Sequence, residues 1–271
     1  MTAKVKKVAV GGLGAIGAVL AKKLDEGIEG LELAAVSGRD VAKAERFVAG
    51  LKKPVKVLPL EQLAEVADII VEAAPSSVMD QIALPALKAG RWLVVSSVGA
   101  LARSPQYVEL AREHGARIFA PTGALIGLDA MLAAREGKVH SIKMITRKPP
   151  NGLEGAPYLV ANNISVKDLK EPLRVFTGTA SEAIKGFPAN VNVAVALGLA
   201  GVGPDKTSIE IWADPGVDRN VHRIEVDSDA ARFSMMIENI PSEENPRTGK
   251  ITALSVIALL RKMASPLAVG T

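Results

Sequence analysis

The sequence predicts an α/β protein in two parts: a doubly wound parallel sheet, followed by an α+β domain built on a largely antiparallel sheet. Three observations predict it. As far as Pro121, short continuous apolar runs alternate with helical patterns, and continuous apolar strands are those covered on both faces. Beyond Pro121 the strands alternate apolar with polar residues, which suits a sheet with one covered face. The length, 271 residues, corresponds to nearly two domains at about 150 residues each.

The elements follow in order. Strands are expected at Lys4 to Val10, Leu31 to Val36, Val55 to Leu58, Asp68 to Ala73, Arg91 to Ser96 and Arg117 to Ala120. Helices are expected between them, at Ala15 to Asp25, Val41 to Leu51, Leu60 to Val66, Ser77 to Lys88 and Pro105 to His114. This alternation gives right-handed crossovers and the doubly wound order. Gly127 to Gly137 reads as a helix, then His140 to Lys148, Thr207 to Ala213, Val221 to Asp227 and Arg232 to Asn239 read as strands. Helices at Ser181 to Lys185 and Asn190 to Ala200 interrupt them. Turn chemistry marks Lys148 to Gly152 and Pro241 to Pro246. A last apolar helix spans Thr248 to Met263. The expected division is a dinucleotide-binding domain over 1–123, a substrate, catalytic and dimerisation domain over 124–247, and a helix over 248–271 that returns to the first domain.

Composition excludes several classes. Lys and Arg number 33 against 29 Asp and Glu, a net charge of +4 with no basic block, and aromatic residues are 3%. A nucleic-acid groove needs clustered cations and stacking rings, so none is expected. There is no cysteine, which removes disulfides, thiolate metal sites and cysteine nucleophiles; no metal site is expected. The longest apolar runs, Val193 to Gly203 and Ile251 to Leu260, fall short of the about 20 residues that span a bilayer. The basic start reaches glycines after only a few apolar residues, unlike a signal peptide. A cytoplasmic protein without a membrane partner is the expectation.

The strongest motif is Gly11-Gly12-Leu13-Gly14-Ala15-Ile16-Gly17, directly after Val8-Ala9-Val10. Gly12, Gly14 and Gly17 occupy GxGxxG between a strand and a helix, the context a Rossmann dinucleotide turn requires. The first glycine makes the turn, the second admits the pyrophosphate and the third allows close packing. Free N–H groups at the helix start then hold the phosphates. Gly12, Leu13, Gly14, Ala15 and Ile16 are therefore cofactor-binding candidates. The second strand lacks the terminal acid that grips an NAD ribose: Ser37 takes its place and Arg39 follows. Arg39 can reach a 2′-phosphate, so NADP as well as NAD is expected; alternatively, Asp40 caps the next helix and Arg39 faces solvent. Ala74, Pro75, Ser97, Val98 and Gly99 sit after the fourth and fifth strands, where open α/β sheets bind ligands.

Of three histidines, His114 ends a helix and His140 opens a strand. In Val221-His222-Arg223-Ile224-Glu225-Val226, period-two alternation puts His222 on the face of Ile224 and Val226. An inward polar group needs a partner. Beside a dinucleotide site, a group that titrates near neutrality is what a dehydrogenase needs, and His222 is the catalytic candidate.

Taken together, the motifs resemble the L-aspartate dehydrogenases over nearly the whole chain. They are Gly12 to Gly17, Ser97 to Leu101, Pro121 to Ala130, Thr146 to Pro150, Phe187 to Ala194, Asp214-Pro215 through Val221-His222, and Ser265 to Thr271. The resemblance implies that Ala124 and Asn190 contact the dinucleotide, that His222 is catalytic, that the protein is a homodimer, and that NAD or NADP serves as cofactor. It implies oxidation of L-aspartate to iminoaspartate, then oxaloacetate and ammonia, or the reverse.

A dicarboxylate substrate requires cations. Arg147, Lys148, Lys185 and Arg219 are the candidates, with Arg favoured for bidentate binding. Thr179, in Thr177 to Ser181, offers a hydroxyl to a substrate carboxylate or serves as a plain N-cap. Two alternatives stay open: a related Rossmann reductase acting on another amino acid, and a dinucleotide sensor without turnover.

Overall fold

A computed structural model describes residues 5–188, 191–242 and 249–271. The chain divides into two compact units, 1–121 with 253–269 and 122–252 with 270–271. The first carries β1 (Lys6–Gly11), α1 (Ala15–Glu26), β2 (Leu31–Ser37), α2 (Val41–Ala49), β3 (Lys56–Val57), α3 (Leu63–Val66), β4 (Ile69–Glu72), α4 (Met79–Lys88), β5 (Trp92–Val95), α5 (Val98–Ala102), α6 (Gln106–Glu113) and β6 (Arg117–Phe119). Its six strands are parallel in the order β3-β2-β1-β4-β5-β6. This is the doubly wound order, with its switch point between β1 and β4.

Both faces of this sheet are covered, which is why its strands read as unbroken apolar runs. On one side Ala9, Ile70, Leu93 and Val95 pack with Ile82, Leu87 and Tyr107. On the other, Val8, Val10, Val71 and Val94 pack with Leu20 and Leu24 of α1.

The second unit contains α7 (Leu128–Ala134), β7 (Val139–Lys148), α8 (Pro157–Ala161), β8 (Leu173–Thr179), α9 (Ala180–Gly186), α10 (Asn192–Ala200), β9 (Thr207–Ala213), β10 (Asn220–Ser228) and β11 (Arg232–Asn239). Its sheet runs β11-β10-β7-β9-β8. The β7–β9 pair is parallel and the other three pairs are antiparallel, so the sheet is mixed. β8 is not among the expected strands. A register shift between Arg174 and Phe176 breaks the alternation that marks a strand. The final helix, α11 (Lys250–Ala264), places Val256, Ile257 and Leu260 in the α1-side core of the first unit. No helix among the described residues is long and apolar enough to cross a membrane.

Candidate active site

In the first unit, β1 ends at a turn whose three glycines each meet a different demand. Gly12 has φ of 111°, and a Cβ there would lie 2.6 Å from the Ala73 carbonyl oxygen. A Cβ on Gly17 would lie 1.8 Å from the Gly12 oxygen. A Cβ on Gly14 would meet nothing within 4 Å. The outer two glycines let turn, helix and β4 close together, while the middle one leaves an open face. Gly14 caps α1 with no side-chain bond, so the first N–H groups of the helix stay available to an anion. Leu13, Ala15 and Ile16 line this turn half-buried. The residues present fit the pyrophosphate of a dinucleotide.

Ser37 ends β2 buried, and its carbonyl accepts from Gly12 N at 2.9 Å. Asp40 caps α2, accepting from Lys43 N at 2.9 Å, while Arg39 is exposed beside it. What this segment shows is the second alternative raised for it: the cap forms, and the guanidinium faces solvent.

The carboxyl ends of β4 and β5 hold a group that the sequence reading passed over. Glu72, fully buried, accepts from Ala74 N at 3.1 Å, Ser96 N at 3.0 Å, Ser97 N at 2.8 Å and the Ser97 hydroxyl at 3.0 Å. Burial raises its pKa above the usual carboxylate value, and the donors from Ser97, Ala74 and Ser96 oppose that rise. Its signal was an acid closing an otherwise apolar strand. Ala74, Ser97, Val98 and Gly99 thus sit on two segments clasped by one carboxylate, with Pro75 exposed next to Ala74. Ser96 Oγ, buried at the same edge, has no hydrogen-bond partner among the described residues.

In the second unit, β7 and β10 pair antiparallel with His222 opposite Thr146, Ile224 opposite Met144 and Val226 opposite Ile142. All six are buried on one face. His222 is 3% exposed, and its Nδ1 lies 3.2 Å from Thr146 Oγ1. Lys148, two residues along β7 on that same face, is 4% exposed. Burial first, and the Lys148 charge second, push the His222 pKa down to about 3. Burial lowers Lys148 to about 8. The expectation that His222 titrates near neutrality is corrected here: desolvation disfavours its cation, and the imidazole is neutral at rest.

The other candidates are placed elsewhere. Arg147 alternates to the opposite face, where its guanidinium binds Asp214 at 2.9 Å and stacks 4.8 Å from the Trp212 ring. Thr179 caps α9 in a reciprocal capping box with Glu182, at 3.2 and 2.7 Å. Lys185 is exposed at the end of α9, and Arg219 is exposed beside Asp218. The Ala124 carbonyl accepts from Asn239 Nδ2 at 3.0 Å. Asn190 lies outside the described residues. Of the residues assigned from sequence, the structure gathers the Gly12–Ile16 turn and the β4 and β5 segments at one sheet edge. Among the described residues it brings Thr146 and Lys148 to His222, of which Thr146 had no assigned role.

A parallel doubly wound sheet with this glycine turn, followed by a second unit on a mixed sheet, defines a dinucleotide-dependent oxidoreductase. The chain is 63% identical over 265 residues to an L-aspartate dehydrogenase of Bradyrhizobium diazoefficiens, covering 98% of this chain and 94% of that protein. It belongs to the aspartate dehydrogenase family. Residues 129–263 match the family model described as aspartate dehydrogenase, C-terminal, and residues 12–121 that of homoserine dehydrogenase, NAD binding domain. L-aspartate dehydrogenase 3 of Bordetella bronchiseptica is 55% identical, with 97% of each chain covered. The crystal structure of an aspartate dehydrogenase from Thermotoga maritima superposes with a TM-score of 0.76 at 27% identity, covering 98% of this chain and 99% of that one.

Proposed function

We propose that this protein is an NAD(P)-dependent L-aspartate dehydrogenase that converts L-aspartate through iminoaspartate to oxaloacetate and ammonia, and runs in reverse when ammonia and oxaloacetate are supplied. The carrying observation is the 63% identity to an L-aspartate dehydrogenase along 98% of the chain. When bound at the glycine turn, the nicotinamide would supply the hydride acceptor for the substrate's α-carbon.

The protein's own residues bind, orient and move protons. Gly12 makes the turn, backbone N–H groups from Leu13 to Ile16 would hold the pyrophosphate, and Arg39 would meet the 2′-phosphate of NADP. In this reading His222 is the proton acceptor. For Nε2 to act, Nδ1 must carry the proton and donate to Thr146 Oγ1, which fixes the tautomer. A base held near 3 is too weak at rest, but an anionic substrate beside it favours the imidazolium and offsets the Lys148 charge. The same substrate gives the buried Lys148 cation a carboxylate to bind. Arg147, Thr179 and Lys185 are the less favoured substrate ligands, because Arg147 and Thr179 already have partners.

The dimer expected from sequence is supported by β11, an edge strand with Met236 57% exposed, and by Ile240 just beyond it at 53%. A cytoplasmic location accords with nicotinamide dinucleotides being intracellular cofactors. The test is absorbance at 340 nm with NAD and NADP against L-aspartate, L-homoserine and other amino acids. Turnover restricted to aspartate is expected. Preference for another amino acid, or binding of either cofactor with no turnover on any, overturns the reading. Arg39→Ala is expected to weaken NADPH about tenfold while sparing NADH, the loss of one exposed phosphate contact; equal losses for both cofactors would remove Arg39 as a phosphate reader.

A further inference from the structure

Glu72 is the buried acid at the switch point that the scheme above leaves unused. It sits at the carboxyl end of β4, and Gly12 packs against Ala73 and Ala74 immediately after it. A dinucleotide held at the turn lays its adenosine half toward β2, where an acid or Arg reads the ribose. Its other half then crosses to the β4 and β5 side of the switch point. There Glu72 Oε1 takes Ala74 N and the Ser97 hydroxyl, while Oε2 takes Ser96 N and Ser97 N. One carboxylate therefore sets the backbone of both segments facing that half. Ser97 illustrates the cost: its hydroxyl turns to Glu72 and leaves α5 without a side-chain cap.

We propose that Glu72 is a positioning residue for the nicotinamide half of the cofactor: it clasps the Ala74 and Ser96–Ser97 segments, and its buried negative charge favours the cationic oxidised ring over the neutral reduced one. The proposal rests on the dehydrogenase reading above. Three of the four donors are backbone N–H groups, which can only donate. All four bind an ionised carboxylate more strongly than an acid, although burial works against the charge. A group that merely stapled two loops would affect oxidised and reduced cofactor alike. A charge distinguishes them.

Calorimetric titration of the full chain with NAD+, NADH and ADP-ribose tests both parts without turnover. Glu72→Gln removes the charge and sets its amide nitrogen against Ala74 N, so part of the clasp goes with it; the ratio of oxidised to reduced affinity, which the clasp alone does not move, reads the charge. Its expected effect is an about tenfold shift of the Kd(NAD+)/Kd(NADH) ratio toward the reduced form, the scale at which one unit charge acts on another in a partly desolvated site. Glu72→Asp keeps the charge but draws it back by one methylene. Its expected effect is weaker binding of both dinucleotides, by about tenfold, with the ratio near wild type and ADP-ribose affinity unchanged. An unshifted ratio in Glu72→Gln, or ADP-ribose and NADH weakened equally in Glu72→Asp, overturns the proposal. If Glu72→Gln does not fold, Glu72→Ala, which also removes the charge, takes its place in the ratio comparison, and Glu72→Asp tests the clasp in either case. Wild-type protein that binds none of the three ligands would instead overturn the dehydrogenase reading.

Discussion

His222 and Lys148 are two basic groups buried on one face of one sheet, and their energetics oppose their use. Unfolded, His222 has its ordinary value of 6.5; folded, it is held near 3 by burial and by Lys148. The unfolded chain therefore binds the extra proton between those values, so the stability is present above pH 6.5 and is lost as pH falls toward 3. His222→Asn is expected to flatten the acid limb of a denaturation profile in that window. It should also lower turnover by about 10²–10⁴-fold, the range of general-base assistance, with NADH affinity retained in calorimetry. Wild-type turnover would remove His222 from the chemistry. Lys148 has the same sign at higher pH: held near 8 rather than 10.5, it costs stability while charged, and that cost fades as pH rises through 8 toward 10.5. Lys148→Met should make the protein more stable at pH 7 by about 1–3 kcal/mol while raising the KM for aspartate. The gain should shrink at pH 10 in urea titrations. A variant less stable at pH 7 would show that the ammonium is a net support of the fold.

At the scale of elements, what could be read from the sequence followed burial. Strands β1, β2, β4 and β5 lie between two apolar layers, so their composition announces them. Strand β10 is covered on one face, and its alternation placed His222 beside Ile224 and Val226 as the burial pattern has it. Strand β8 escaped because its bulge interrupts the period. The glycine turn was legible because its spacing is fixed locally: Gly12 and Gly17 answer steric demands of the turn, and Gly14 leaves its face open. Glu72 and Lys148 were harder, since one acid or lysine at a strand end gives no sign that the polypeptide will close over it. Arg147 was weighed by charge alone, and alternation places it on the face opposite His222, against Asp214 and Trp212. Thr179 shows how a helix start and a ligand site look alike in sequence; the structure supplies the cap. Thr179→Ala is therefore expected to cost about 1 kcal/mol of stability and to leave the KM for aspartate unchanged. A raised KM at undiminished stability would restore Thr179 as a substrate ligand.

At the scale of the molecule, the chain leaves the first unit at Pro121 and re-enters it at Ala253. The layer behind the β1 turn is thus finished by residues that follow the second unit in sequence. Val256, Ile257 and Leu260 of α11 join Leu20 and Leu24 of α1 with Val8 and Val10 of β1. The helix that follows the glycine turn is consequently backed by α11, and a defect there should be felt as cofactor-dependent stability. Leu260 is fully buried, so Leu260→Ala should destabilise the protein by about 2–5 kcal/mol through lost burial and the cavity left behind. Because NADH binds only the folded unit, NADH at a hundred times its Kd should restore about 2.7 kcal/mol by mass action. Calorimetric melting of wild type and variant, with and without NADH, measures both terms. A variant that melts like wild type without cofactor would show that α11 is dispensable to the first unit. A variant destabilised as expected but no longer raised by NADH would show that the defect reaches the turn itself.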